Sequence, residues 1–211
     1  MRKEGLIDTI LMIYPKRIEY YGMEGYVLGK WASDLAKLKP KQRQEALKMF
    51  EKSVSMLGNK SSYTIPSNYI KTAIKEHKLK RYSLDSLYML YFQMMDITTF
   101  NIKQNGKKKA KWEAAEEYVN KVMKPYLNCE KVEEYFKPQI EANPEDVELL
   151  KKVAELLVNA KCEKTVFFLE TAEKIYAIEP SPQAAYTIAV GRHANKEYNK
   201  AVGWYGKSIE S

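Results

Sequence analysis

A chain of 211 residues, 45% of them apolar, can bury a real core in one or two ordinary domains. The apolar residues are dispersed, so no stretch approaches the ~18 consecutive apolar residues of a membrane-spanning helix. Nine glycines and eight prolines are too few for a strand-rich fold with many tight turns, and 35 basic against 27 acidic residues leave a net charge of +8. The excess sits in "KPKQR", "KLKR" and "KKKAK", which reads first as solvated surface and second as attraction to an acidic protein, phospholipid or nucleic acid. Sixteen tyrosines against six phenylalanines favour many thin, half-wet interfaces over one deep core.

In chain order, "MRKEGLIDTILMIYPKR" carries Asp8 within a short apolar run and lacks a small-residue cleavage site, which makes it a poor signal peptide. Leu6, Ile10, Ile13 and Tyr14 recur at helical spacing, predicting an amphipathic helix. The expectation is a cytoplasmic protein or one whose native N-terminus precedes Met1. Three-to-four residue periodicity then predicts helices over 4–14, 24–37, 41–57, 66–79, 83–104, 108–126, 130–141, 145–159, 163–178, 181–194 and 197–210. Gly22 and Gly58-Asn59 read as helix stops. Asn143-Pro144-Glu145-Asp146 reads as an N-cap, a first-turn proline and first-turn acids, and Glu179-Pro180-Ser181-Pro182 closes one helix and opens the next. The chain is predicted to be all-α.

Short helices with short connections call for a test of internal repeats. Ala185, Ile188 and Ala189, then Ala201, Tyr205 and Ser208, place small and bulky residues where a two-helix repeat needs them, with 16 residues between Ala185 and Ala201. Leu28-Gly29 and Ala32, then Ala46, Phe50 and Ser53, repeat the arrangement with about five extra residues in the turn. Leu150, Val153, Ala154 and Leu157, then Leu169 and Ala172, supply a third register. Small residues let the paired helices approach closely, and bulky ones fill the gaps between units.

On these residues the chain resembles a divergent tetratricopeptide repeat protein. "RIEYYGMEGYVLGKWASDL" and "NPEDVELLKKVAELLVNAKC" with "FFLETAEKIYAIEPSPQAAY" are similar to a group of bacterial cell-envelope repeat proteins. The resemblance covers the first 60 and last 70 residues; the middle, with "SLDSLYMLYFQMMDITTFNIKQNG", lacks the small residues. It implies a right-handed α-α superhelix of about five helical pairs, one domain over 1–211 with first units in 1–60, irregular elongated pairs in 61–128 and two last units in 129–211. In the middle helix Leu87, Leu90, Tyr91, Met94 and Met95 are read as core, and Trp31, Trp112 and Trp204 as packing residues.

The repeat register assigns Tyr26, Lys30, Ser33 and Asp34, then Lys151, Glu155 and Asn159, then Tyr186, Val190 and His193 to a concave peptide groove. The resemblance thus implies a non-enzymatic scaffold that binds an extended peptide or partner protein. The two-lysine clamp that some members use for a terminal carboxylate is not evident. The alternative is a helical-repeat module binding RNA or another polyanion. Against it, the lysines scatter over loops and outer faces while Asp34 and Glu155 stand in the groove.

No catalytic residue, cofactor or metal is expected: His77 and His193 lack a partner at ligand spacing, and "EAAEEY" and "KVEEYF" read as solvated faces. Cys129 and Cys162 lie 33 residues apart, close to one repeat, in inter-helix turns. Their spacing admits a disulfide and equally admits two free thiols. The resemblance to envelope proteins implies the bridge and an oxidising compartment. Finally, Val202, Tyr205 and Ile209 form an apolar face on the last helix with no capping helix after it. The expectation is an array that continues beyond Ser211, is capped by a partner, or self-associates.

Overall fold

A computed structural model describes residues 2–104 and 106–209, with side chains from residue 5 onward. Among the described residues it is all-helical, with eleven α-helices, no strand, and no helix long and apolar enough to cross a membrane. The helices group into two compact units, one ending at Met123 and the other beginning at Lys124.

The first unit contains α1 (Arg2–Tyr21), α2 (Glu24–Leu38), α3 (Arg43–Leu57), α4 (Thr64–Lys78), α5 (Leu84–Lys103) and α6 (Lys109–Met123). The expected end of α1 at Tyr14 is corrected: the helix runs through Pro15 to Tyr21. Pro15 cannot donate the bond to Leu11, but burial of Leu11 and Tyr14 holds the turn, and the Tyr14 ring stacks on Trp31 at 5.9 Å. The stop falls instead at Gly22, in the left-handed region at φ 65°, whose N–H donates to the Ile18 carbonyl at 3.0 Å.

Along α2 the residues Gly25, Leu28, Gly29, Ala32, Leu35 and Ala36 form the buried stripe. α2 packs on α3 and α4, and α4 in turn packs on α5 and α6. A Cβ added at Gly29 would lie 2.6 Å from Ile65 Cδ1 and 2.7 Å from Ser53 Oγ, and one at Gly25 would lie 2.8 Å from Leu57 Cγ. The backbones are so close that the Ser53 hydroxyl donates to the Gly25 carbonyl at 2.7 Å. The middle helix α5 buries Leu87, Leu90, Tyr91, Met94 and Met95, as its pattern predicted. At the end of α4, just before the "KLKR" run read as solvated surface, Glu76 is buried with Arg43 at 4.0 Å and Arg81 at 3.4 Å.

The second unit contains α7 (Cys129–Ala142), α8 (Val147–Asn159), α9 (Val166–Ile178), α10 (Pro182–Ala194) and α11 (Tyr198–Lys207). The expected cap at Asn143 is also corrected. Asn143 closes α7, and Asp146 caps α8 by accepting from the Leu149 N–H at 3.0 Å. Asp146 stands immediately before Val147, so the acid and not the proline sets the start. Ser181 caps α10 with Pro182 in its first turn, as expected. α9 packs between α8 and α10, and α10 packs on α11. Ala185, Ile188, Ala189 and Ala201 are all buried there, and a Cβ on Gly191 would meet Leu169 Cδ2 at 2.6 Å. On α11, Val202 is exposed and Tyr205 is half-covered by Tyr186 at 5.9 Å; the expectation that Ile209 shares this helix is corrected, because α11 ends at Lys207 and the exposed Ile209 lies in the turn after it. Glu210 and Ser211 lie outside the described residues.

Cys129 and Cys162 form a disulfide with a Cα–Cα separation of 5.5 Å, joining the first turn of α7 to the turn after α8. Apart from it, α7 is held by Val132, Phe136 and Ile140, all buried.

This packing has three measurable consequences for stability. Gly29→Val should lower the urea stability of the first unit by about 1–3 kcal/mol through overpacking. Gly203→Ala and Gly206→Ala, where an added Cβ meets nothing within 4 Å, should each raise that of the second by about 0.5–1 kcal/mol. Cys129→Ser with Cys162→Ser opens a loop of 33 residues and should destabilise the second unit by about 3–4 kcal/mol, with amide exchange quickening first in α7.

Candidate functional site

Burying one stripe of α2 forces its other stripe outward, because residues four and seven apart share a helix face. Tyr26, Lys30 and Ser33 fall on that stripe, with Val27 and Asp34 beside it. They line a cleft of about 480 Å³ in the first unit, closed by Arg17 of α1, by Leu57, and by Ile65 and Asn68 of α4. All four groove residues expected from α2 are therefore brought to one cavity.

The polar groups of the cleft are organised. The Ser33 hydroxyl donates to the Gly29 carbonyl at 2.9 Å and accepts from Asn68 Nδ2 at 3.1 Å. The Tyr26 hydroxyl donates to the Lys60 carbonyl at 2.9 Å, leaving its ring half-exposed along the wall. The Tyr14 hydroxyl donates to the Asp34 carboxylate. Burial first, and then the hydrogen bond and charge of Asp34, push the Tyr14 phenol well above its ordinary value, opposed by Arg17. Lys30 and Arg17 have no ion-pair partner among the described residues. The cleft thus presents two unneutralised cations, a carboxylate already engaged by a phenol, hydroxyl and amide groups, and an apolar floor.

The groove residues expected in the second unit fall on exposed stripes of α8 and α10. Lys151 pairs with Glu179 at 2.8 Å, a hydrogen bond that raises its pKa. Glu155 is exposed and Asn159 half-buried. On α10, Tyr186 and His193 are exposed and Val190 is half-buried, with the His193 ring 5.5 Å from that of Tyr198. His77 Nδ1 lies 2.9 Å from the Tyr82 carbonyl. Among the described residues no group of three or more His, Cys, Asp or Glu could hold a metal ion.

Arg17, Tyr14 and Asn68 escaped the sequence reading of the site. Arg17 lies beyond Pro15, where the helix was expected to have ended, and Asn68 lies where the repeat pattern lapses. The one available signal was the spacing of Tyr14 and Arg17 on a continued helix.

No model of a known protein family matches the chain, and no curated protein matches it.

A titration tests the Tyr14–Asp34 contact. A phenol whose folded pKa is raised stabilises the fold fully below its unfolded value of about 10 and loses that contribution as pH rises above it. Tyr14→Phe should therefore cost about 1 kcal/mol at neutral pH, remove one late-ionising phenol from the ultraviolet titration, and flatten the loss of stability above pH ~10.

Proposed function

We propose that this chain is a non-enzymatic interaction scaffold, built from divergent tetratricopeptide-type helical pairs, that binds an extended peptide or a flexible segment of a partner protein. The observation that carries this reading is the convergence of Tyr26, Lys30, Ser33 and Asp34 with Asn68 on one cleft. Within the first unit, α2, α4 and α6 are successive neighbours, which is the packing expected of the first helices in a right-handed stack of such pairs. The cleft pairs a half-exposed tyrosine wall and an apolar floor with a few fixed hydrogen-bonding groups, the composition that orients a ligand without transforming it.

An extended backbone needs donors and acceptors at intervals and a surface for alternate side chains. Asn68, held through Ser33, offers the first, and Tyr26, Val27 and Ile65 offer the second. Arg17 and Lys30 favour a segment with an acidic side chain or terminus. The Cys129–Cys162 disulfide supports a home outside the reducing cytoplasm, in keeping with the cell-envelope placement that the resemblance implies. The exposed Val202 of α11, with the exposed Ile209 in the turn after it, would be the contact for a second copy.

Selection of a random peptide library on the full chain tests this function. We expect acidic, extended peptides with affinities around the micromolar range, weakened at least tenfold by Lys30→Glu or Asn68→Ala. If the selected peptides bind both variants as well as the parent protein, the cleft is not the binding groove.

A further inference from the structure

We propose that the corner between α5 and α6 is a second binding site, for a compact anion carrying two or more neighbouring phosphate groups. The run Lys107-Lys108-Lys109-Ala110-Lys111-Trp112, the densest basic stretch of the chain, lands on a cavity of about 330 Å³. The amides of Asn101 and Gln104, the ammonium groups of Lys107, Lys108 and Lys109, and Trp112 line it, and among the described residues no carboxylate does. Glu113 reaches only Lys109, at 3.7 Å in an exposed pair. Lys107, Lys108 and Lys111 have no ion-pair partner among the described residues.

Aromatic groups hold two of these cations in place without neutralising them. Lys111 Nζ sits 5.0 Å and Lys108 Nζ 6.0 Å from the centre of the Tyr63 ring, and Tyr63 stands edge-on to Trp112 at 6.4 Å. Asn101 Nδ2 donates to the carbonyls of Asn59 and Ile97, both at 2.9 Å, so this amide fixes the wall of the corner. Four lysines within five residues repel one another. An anion spanning two of them relieves that repulsion and, being multivalent, releases its own counterions on binding.

The same geometry selects against nucleic acid. Binding of single strands depends on aromatic faces on which bases stack. Trp112 is only 6% exposed, and the Tyr63 ring already carries two ammonium groups. The corner offers charge without a stacking platform, which suits linked phosphates, whether free in solution or displayed as the headgroup of a polyphosphorylated lipid.

Two probes separate these sources: calorimetric titration of the full chain with tripolyphosphate, and co-sedimentation with phosphatidylcholine vesicles containing phosphatidylinositol bisphosphate. At least one should bind, with affinity falling as salt is raised. Lys108→Gln with Lys111→Gln should weaken binding at least tenfold while leaving helix content unchanged by circular dichroism. Lys37→Gln with Lys48→Gln, removing the same charge from exposed positions on α2 and α3, should change it less than twofold. Response to tripolyphosphate alone supports a free ligand, and response to vesicles alone supports a headgroup. The proposal is overturned if neither probe binds, if both double variants weaken binding equally, or if single-stranded RNA of matched charge binds more tightly than either probe.

Discussion

Everything in the first unit depends on how closely α2 can approach α3 and α4. Gly25 and Gly29 provide no side chain where Leu57, Ser53 and Ile65 come within 3 Å of a Cβ position, and Ala32 and Ala46 continue the contact at zero exposure. With bulky residues there the helices would separate by a side-chain layer, and Ser53 would lose the Gly25 carbonyl. Close approach also fixes rotation. Once Gly25, Gly29, Ala32 and Ala36 face inward, Tyr26, Lys30 and Ser33 have nowhere to go but the opposite surface. The cleft is therefore a consequence of the core: the residues that form it are those that the small-residue stripe expels. In the second unit Gly191, Ala185 and Ala189 play the same part on α10 against Phe168 and Leu169.

That dependence explains which features were legible. Small residues at helical spacing are informative because a glycine inside a helix costs about 1 kcal/mol relative to alanine and so has little reason to stand there unless a tight helix pair requires it. Leu28-Gly29, Ala32, Ala46 and Phe50 hence located both the buried stripe and, by complement, the four cleft residues of α2. Boundaries were less legible. Pro15 argued for a stop through the bond it cannot donate, yet a single lost backbone bond is a small term beside burial of Leu11 and Tyr14 and the stack on Trp31. The same trade misplaced the start of α8, where the side chain of Asp146 outcompeted the expected cap at Asn143.

What could not be read were contacts between groups far apart in sequence. Asn68 reaches Ser33 across 35 residues, and Tyr14 reaches Asp34 across 20. Glu76 gives no sign in "KEHKLKR" that it is buried between Arg43 and Arg81. Each is a polar group whose surroundings come from another helix, so its local pattern is the same as that of a solvated residue. Burial of Glu76 with two guanidiniums also costs desolvation that hydrophobic replacements would not. Its arrangement therefore specifies how the end of α4 meets its neighbours more than it adds to stability.

Charge and shape are carried by different residues, and this decides how the two candidate sites relate. The cleft residues are consequences of helix rotation, so replacing Lys30 alters chemistry without disturbing the stripe behind it. The lysines around the start of α6 are under no such constraint, because of that stretch only Trp112 and Ala115 serve the core. A solvated loop has no need for four lysines in five residues, and mutual repulsion disfavours them. Nor are they arranged as a surface that merely keeps the protein soluble. Such a surface would intersperse acids, as α7 does with Lys131 beside Glu134 and Lys137 beside Glu133. A cluster in which only Lys109 meets a carboxylate, and which also borders a cavity walled by amides and a buried indole, is better explained by an anion than by solvation. By the same reasoning the geometry of the α2 cleft does not depend on them, since none of those lysines lines it.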